Sequence, residues 1–330
     1  MAKRSKKTDS PSQGKHRRNT PSEPHSSEDP GTLFDPANAL NMEREMANLS
    51  KLLSEQEFES IDEANQFLEN LLSSTGGRLP SREPETPEEE AMELLYQAYE
   101  ARPRKALTLA KKALKLWPDC ADAYLLLADL DAADLEERLA YHQKALAAGE
   151  RAIGPETFTE ARGHFWGLVE TRPYMRAREQ LAETLWHLGR PEEALAHLQE
   201  MLELNPHDNQ GMRYTLLTNL MLLRRDDQAQ ELWQKYEEDA SAHWLYNHTL
   251  LIFRREGRSQ AAQDALQAAV DFNEFVGDYL TGTEPMPHPD EIPGYIQIGD
   301  ETEAVDYAVN AVLLWAQTPG ASLWLMENLE

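Results

Sequence analysis

A helix–turn–helix segment in the middle of the sequence constrains the fold more than any other feature. Residues 175–206 form two amphipathic stretches, which are joined by the turn Gly189-Arg190-Pro191. The small residue Ala194 lies where the two helices are expected to cross, and Pro206 ends the second helix. One such hairpin cannot bury its own apolar face, so the segment predicts neighbours of the same kind that pack against it.

Further copies of this hairpin follow the tetratricopeptide pattern of small residues and helix-ending prolines. The copies begin at Pro87, Ala121 and Met175, and near Gln210 and His243, and the last two are degenerate. The sequence therefore predicts an all-α fold, a tetratricopeptide-like right-handed helical solenoid in which each copy packs against the next.

Composition and spacing divide the rest of the chain. In the insertion between the second and third copies, Phe158, Phe165 and Trp166 need burial, so we expect a short helix or turn there. In chain order, the expected parts are a disordered basic tail (1–31), an N-terminal helical hairpin (35–78), an acidic proline-containing linker (79–86), repeats 1 and 2 (87–154), an insertion (155–174), repeats 3 to 5 (175–276), and a proline-rich loop with C-terminal capping helices (277–330).

The helix that follows Asp300 is expected to close the solenoid. Asp300 is a good N-cap, and Glu303 stands at the reciprocal position of a capping box. Helical spacing predicts a buried face formed by Ala304, Val305, Ala308, Val309, Val312 and Leu313.

Charge and cysteine content limit the classes of partner. The chain has 58 acidic and 32 basic residues, a net charge of −26, although residues 1–20 are basic. We expect the folded part to repel nucleic acid, so that only residues 1–20 could contact it, and a merely solubilising tail is the simpler interpretation. The single cysteine, Cys120, excludes an intramolecular disulfide and suits a cytoplasmic protein. No apolar run is long enough to predict a membrane span.

The first helices of such repeats line a concave groove, and four template positions in each copy point into it. Their mixture of aromatic, amide and charged side chains suits an extended peptide or a partner helix. The alternative is that the apolar members only pack between repeats. The candidate residues are Arg176, Glu179, Glu183 and Trp186 in the third copy, Gly211, Tyr214, Thr218 and Met221 in the fourth, and Trp244, Asn247, Leu251 and Arg254 in the fifth.

Two kinds of anion site were considered for this groove. A lysine–asparagine clamp for a C-terminal carboxylate is rejected, because Glu179 and Glu183 occupy the positions that it needs. A local basic group could bind an acidic peptide or a phosphate, but intramolecular pairing with Glu160, Glu170, Glu179 and Glu183 is favoured. The basic group consists of Arg162, Arg172, Arg176, Arg178 and Arg213.

No catalytic, metal-binding or cofactor-binding pattern is persuasive. Glu160 and His164 lie one helical turn apart, and His243 and His248 flank Trp244, but neither pair has a third ligand. No phosphate-binding loop or nucleophile elbow occurs. We therefore expect no cofactor, and interpret these histidines as surface or packing residues.

Four segments carry a resemblance to a known family. They are WPDCADAYLLLADLDA (residues 117–132) with QKALAAGE after it, ETRPYMRAREQLAETLWHLGRPEEALAHLQEMLELNP (170–206), AVDFNEFVGDYL (269–280) and GDETEAVDYAVNAVLLWAQTPGASLWL (299–325). In order and spacing they resemble the suppression-of-tumorigenicity-seven family across residues 93–325, about two thirds of the chain.

This resemblance implies a repeat-type interaction protein with no reaction or catalytic residues to transfer. Animal members of the family look membrane-anchored through N-terminal hydrophobic helices, whereas this chain has a basic tail and a hairpin there, so we expect a soluble relative. The sequence as a whole favours a non-enzymatic scaffold that binds a protein or peptide in its groove. The alternatives are an enzyme with a site near the 279–299 loop, and nucleic-acid association through the tail. Oligomeric state and partner identity stay open.

Overall fold

Helices make up most of the described backbone. The computed structural model describes residues 36–80, 82–288, 291–292 and 295–329, so the predicted basic tail lies outside the described residues. Fifteen α-helices and no β-strand occur within these ranges. The fold is an all-α, tetratricopeptide-like helical solenoid, as the repeat spacing predicts.

The solenoid consists of five helix pairs between an N-terminal hairpin and three C-terminal helices. The hairpin is α1 (Pro36–Ser54) and α2 (Ile61–Thr75). The pairs are α3 (Pro87–Tyr99) with α4 (Pro103–Leu116), α5 (Ala121–Asp131) with α6 (Leu135–Glu160), α7 (Arg172–His187) with α8 (Pro191–Leu204), α9 (Met212–Leu222) with α10 (Asp226–Lys235), and α11 (Ala242–Glu256) with α12 (Gln260–Phe272). The final helices are α13 (Val276–Thr281), α14 (Glu301–Ala316) and α15 (Ala321–Met326).

Local sequence explains where the repeat helices start and stop. Pro87 and Pro191 stand in the first turns of α3 and α8, where the missing N–H costs nothing. The Thr86 hydroxyl accepts a hydrogen bond from the Glu89 N–H at 3.2 Å and so caps α3. Gly189, between α7 and α8, has a φ of 71°, a left-handed conformation that most side chains disfavour.

The insertion breaks helix α6 and then packs against α7. Gly154, with φ 76° and ψ 159°, and Pro155 interrupt α6 near its C-terminal end. Two short 3-10 turns follow, and the first contains the completely buried Phe165, whose ring lies 6.1 Å from that of Tyr174. The insertion therefore contributes to the core of the third repeat.

Helix α14 is buried on one side and apolar on both. Tyr307, Leu314 and Trp315 are buried. The sequence-based prediction of its buried face was wrong for three residues, because Val309, Val312 and Leu313 are 55%, 40% and 58% exposed. The prediction named the correct helix but included side chains on its outer side as well as its inner side.

The N-terminal hairpin has little core of its own. None of the side chains of α2 is buried, and Ile61 is 80% exposed. The rings of Phe58 and Phe67 are 5.5 Å apart, which is the aromatic contact that the structure shows within the hairpin. The stability of the hairpin therefore depends on what α1 contacts in the repeats.

The single cysteine is sealed inside the first two repeats. Cys120 is 0% exposed, and its Sγ lies 4.0 Å from the Met92 Sδ. Burial raises the pKa of its thiol to about 12. This thiol is a small apolar packing group and not a reactive one.

Candidate functional site

The first helices of the five repeats form one face of the solenoid, which we call the inner face. It comprises α3, α5, α7, α9 and α11, and these are the helices on which the sequence places the groove. Two other helices of the same chain lie on it. Helix α1 packs on α3, and helix α14 packs on α9 and α11. The stretch of the inner face between α1 and α14 is therefore covered by neither of these two helices.

A cleft of ≈ 490 Å³ lies between α9 and α14. Tyr214 and Thr218, both predicted groove residues, line it. The rest of its lining is rich in side-chain amides and hydroxyls, from Asn209, Gln210, Thr215, Asn219 and Ser241 of the repeats and Asn310 of α14. We call this the α9–α14 cleft. Such groups both donate and accept hydrogen bonds, so the lining can pair with a peptide main chain.

Glu179 lies next to this cleft and is joined to it by one hydrogen bond. Its Oε2 accepts from the Gln210 Nε2 at 2.7 Å, while the Gln210 Oε1 is buried without a partner. Burial, and then the charge of Glu183 one turn further along α7, raise the pKa of Glu179 to about 7. Glu183 itself is exposed. This predicted pair of glutamates thus borders the open stretch.

The structure corrects the placement of three predicted groove residues in the fifth repeat. Trp244 and Asn247 are both 0% exposed, and Tyr307 of α14 donates a hydrogen bond to the Asn247 Oδ1 at 3.0 Å. Arg254 bonds to the Asp226 Oδ1 and the Thr318 Oγ1, each at 2.9 Å. The physical reason is that α14 and the segment after it bond to Asn247 and Arg254, while Trp244 packs against Tyr214 and Tyr236 of the fourth repeat.

The apolar groove candidates pack inside the protein, which was the alternative interpretation of these residues. Met221 is 0% exposed and Leu251 is 4% exposed, and both belong to the main core. Trp186 is half-buried against a small cluster that includes Leu181 and Leu185. Gly211 lines the cleft with a φ of 75°. Position on the repeat template therefore does not by itself give access to solvent.

Arg176 is held by carboxylates from two other helices. Its Nε and Nη2 donate to Oδ1 and Oδ2 of Asp122 on α5, at 2.9 and 2.7 Å, and its Nη1 lies 2.8 Å from the Glu43 Oε1 of α1. Burial opposes the charge, but the two carboxylates outweigh it and raise the pKa of Arg176 above its usual value. Asp122 is 1% exposed and Glu43 is 7% exposed.

The other members of the predicted basic group are also paired, but their partners differ from the predicted ones. Arg213 contacts Asp208 at 3.1 Å and Asp239 at 2.6 Å. The remaining pairs are Arg162 with Glu200 and Glu203, Arg172 with Glu43, and Arg178 with Tyr174. None of these acids is on the predicted list: Asp208 and Asp239 lie in loops on either side of the α9–α10 pair, and the others lie on α1 and α8.

The 279–299 loop reaches the inner face through Ile296 and Ile298, which line the α9–α14 cleft. Around the same cleft, burial raises the pKa of Tyr214 to about 12, and hydrogen bonds from Ser241, Tyr214 and Arg213 outweigh burial and lower that of Asp239. Both of these shifts move away from neutral pH, whereas that of Glu179 beside the cleft moves towards it. Among the described residues, no three His, Cys, Asp or Glu side chains lie close enough together to hold a metal ion.

The histidines singled out from sequence have packing partners. His243 Nε2 lies 2.8 Å from the Asp306 Oδ2 of α14, and the ring of His248 stacks on Trp233 at 3.5 Å between centroids. His164 lies 6.4 Å, ring to ring, from His207. These contacts place two of the three between helices.

Sequence reasoning missed the contribution of α14 to the cleft. Asp306 and Asn310 are four residues apart on α14, and both line it. Their polar side chains in a largely apolar helix were a readable signal. Gln210 was missed because only four template positions in each copy were considered. Gln210 is the starting position of the fourth copy and is not one of those four.

No helix in the described ranges combines the length and apolarity that a membrane crossing requires.

Comparison with known proteins gives a family for the chain and a solved structure to which it is similar. A chicken (Gallus gallus) protein, "Suppressor of tumorigenicity 7 protein-like", is 28% identical over 250 residues, which cover 67% of this chain and 43% of that protein. The Macaca fascicularis protein "Suppressor of tumorigenicity 7 protein" is 27% identical over 236 residues, covering 63% and 42%. The solved structure, YrrB, described as "a TPR protein with an unusual peptide-binding site", is 23% identical, with a TM-score of 0.37, and the match covers 68% of this chain and 91% of YrrB.

The matched region spans less than half the length of these two curated relatives. The sequence profile of the family described as "ST7 protein" matches residues 79–328, which is most of the chain and includes all five repeats and α14. This match confirms the resemblance carried by the four sequence segments, and the chain belongs to the ST7 protein family.

Proposed function

We propose that this chain is a non-enzymatic scaffold that binds an extended peptide segment of a partner protein in the α9–α14 cleft. The observation that carries the proposal is the lining of that cleft, where amide and hydroxyl side chains from α9, from the residues just before α9 and α11, and from Asn310 of α14 border ≈ 490 Å³ of open space. An extended peptide presents unpaired N–H and C=O groups on both sides, and such a lining can bond to both.

The unpaired side-chain oxygen of Gln210 supports the binding of a peptide main chain in this cleft. Its amide is fixed by the hydrogen bond to Glu179, which leaves the buried Oε1 without a donor. A buried acceptor without a partner costs free energy, and a peptide N–H that reached it would remove that cost. The neighbouring Glu179 and Glu183 favour a peptide that carries a lysine or arginine close to the same point.

The proposed site thus contains only some of the groove residues predicted from the sequence. Tyr214 and Thr218 belong to the proposed site, and Glu179 and Glu183 border it. Arg176, Trp244, Asn247 and Arg254 lie outside the proposed site, since they bond to or pack against other parts of the chain.

The test is selection of short random peptides on the full chain, followed by affinity measurements on variants. Replacing both Gln210 and Asn310 with alanine is expected to weaken the selected peptides by about tenfold or more, since two hydrogen bonds are lost. Gln267→Ala is the matched control, because Gln267 is exposed on α12 and bonds to Asp271 within that helix. Peptides that bind the double variant and wild type equally, or a selection that enriches nothing, would overturn the proposal.

A further inference from the structure

Helix α1 places a carboxylate on a pair of arginines that belong to the repeats. Glu43 contacts the Arg176 Nη1 through both oxygens, at 2.8 and 3.0 Å, and the Arg172 Nη1 at 3.5 Å. Arg176 is anchored from behind by Asp122 in a two-bond, fork-like arrangement. The surface below α1 is therefore a preformed carboxylate site, and the chain fills it with its own glutamate.

The remaining contacts of α1 are also mainly ionic. Arg44 lies 2.5 Å from Glu93 and also over the ring of Tyr96, and Lys51 contacts Glu85 at 3.1 Å and Glu89. Among the described side chains of α1, residues 39–54, Leu40 and Glu43 alone are buried. The leucines Leu49, Leu52 and Leu53 are half-buried, and the ionic contacts of the helix weaken as salt is added.

The arginine site lies inside the region that matches the family, whereas α1, which covers it, lies outside that region. All the residues that α1 contacts through ion pairs lie between 85 and 176, inside the family match at residues 79–328. Helix α1 ends at Ser54, outside that match. The next helix, α2, adds no buried side chain to hold α1 in place, and Gly76-Gly77 follows it with φ values of 68° and 85°.

Charge balance specifies what could replace α1. With Glu43 in place, two arginines face two carboxylates. Without it, Arg172 and Arg176 keep only Asp122, which leaves an excess positive charge on a chain whose net charge is −26. The incoming group must restore the missing carboxylate, because an unpaired buried charge is strongly unfavourable.

We propose that α1 is a removable occupant of the inner face, and that a helical segment of a partner protein replaces it by placing a carboxylate on Arg172 and Arg176. The contacts of α1 indicate what else the partner helix needs. After the acidic residue it carries a basic residue to face Glu93, and two turns later a second basic residue to face Glu85 and Glu89. This site is separate from the α9–α14 cleft.

The test uses the full chain and a fluorescent peptide with the sequence of residues 36–56 as the probe. In the wild-type chain α1 competes with the probe, so the apparent affinity is reduced by the fraction of chains in which the site is open. Glu43→Gln in the full chain removes the charge of the internal competitor, and we expect it to bind the probe about tenfold or more tightly than wild type does. A probe that itself carries the Glu43→Gln change is expected to lose about the same factor.

Controls separate this site from other effects. Glu45→Gln is matched in chemistry, because Glu45 is exposed on the same helix, and it is expected to leave probe affinity unchanged. Gln210→Ala with Asn310→Ala is also expected to leave it unchanged, so failure of the cleft proposal and failure of this one can be told apart. Equal binding of the probe to wild type and Glu43→Gln, or no discrimination against the altered probe, would overturn the inference.

Hydrogen exchange gives a second measurement that needs no substitution in the chain. Saturating wild-type chain with the unaltered probe is expected to speed exchange of the α1 amides while those of α7 stay protected. Unchanged exchange in α1 at saturation would show that the probe binds without displacing the helix and would overturn the proposal.

Discussion

Two helices of the same chain lie on the inner face, and they are attached in different ways. Helix α14 buries Tyr307, Leu314 and Trp315 among the fourth and fifth repeats, and its Glu303 accepts hydrogen bonds from the Ala242 and Gly299 N–H groups at 2.9 and 2.8 Å. Helix α1 buries Leu40 and Glu43 and relies on ion pairs for the rest. Two helices that lie on the same face can therefore have different roles, since α14 completes the core while α1 covers a charged surface.

The two helices also differ in the partners of their buried carboxylates. The carboxylate of Glu303 is 1% exposed and bonds to main-chain groups and to the Asn273 amide at 3.1 Å, none of which could leave without unfolding. The carboxylate of Glu43 bonds to arginine side chains, which can exchange one carboxylate for another. The first contact is structural, and the second can be copied by another molecule.

The largest expected effect comes from the core side of α14. Trp315 is 1% exposed and its Nε1 donates to the Tyr307 hydroxyl at 2.9 Å, so Trp315→Ala removes both packing and a hydrogen bond. We expect it to lower the free energy of unfolding by about 3–5 kcal/mol, measured by denaturant titration. Val312→Ala, on the exposed side of the same helix, is expected to change it by less than about 0.5 kcal/mol. A loss below about 1 kcal/mol for Trp315→Ala would place α14 in the same class as α1.

An intermediate effect is expected at Glu179, in the open stretch between the two helices. Its pKa is raised from the usual 4.5 to about 7, so between those values the folded chain keeps a proton that the unfolded chain has released. Raising the pH through this window therefore lowers the free energy of unfolding. Glu179→Gln cannot titrate, and it should gain about 1–2 kcal/mol relative to wild type between about pH 5 and about pH 8.

The pH comparison needs a control for the other titrating groups. Glu231→Gln serves here, because Glu231 is exposed on α10 and is not among the groups that shift the pKa of Glu179. A flat difference between Glu179→Gln and wild type across the window, in denaturant titrations at both ends of it, would contradict the raised pKa. It would also show that the stretch between α1 and α14 is as well solvated as open surface.

The smallest expected effect is on α1. Leu40 is 4% exposed, and a leucine so buried in an integral core typically costs about 2–5 kcal/mol when it is cut to alanine. Because α1 can detach before the repeats unfold, we expect Leu40→Ala to change the global free energy of unfolding by less than about 1 kcal/mol. Faster hydrogen exchange confined to α1 should accompany it. A global loss of about 2 kcal/mol or more would show that α1 and α14 are equally integral.

Sequence was sufficient for the repeats but not for what covers them. Turn and cap residues such as Gly189, Pro191 and Thr86 act locally, so their pattern gives the hairpins directly. The first helices begin at Pro87, Ala121, Arg172, Met212 and Ala242, close to the expected starts at residues 87, 121, 175, 210 and 243. Local signals of this kind do not depend on distant partners.

The candidate site was harder to predict because burial depends on distant segments. The repeat template treats the inner face as open, so Asn247 was expected to meet a partner, whereas it bonds to Tyr307, which lies 60 residues later in the sequence. Arg176 lies on α7, and its acids come from α5 and α1, 54 and 133 residues away in the sequence. Spacing along one helix shows which side chains share a face, but not which segment covers that face.

The sealed thiol of Cys120 makes this chain convenient for spectroscopy. At neutral pH it stays protonated and out of contact with water, so alkylating dyes and spin labels should leave it untouched. Engineered cysteines on the exposed sides of α1 and of a repeat helix can then carry labels without removing a native residue, and the distance between the labels would report the position of α1 in solution.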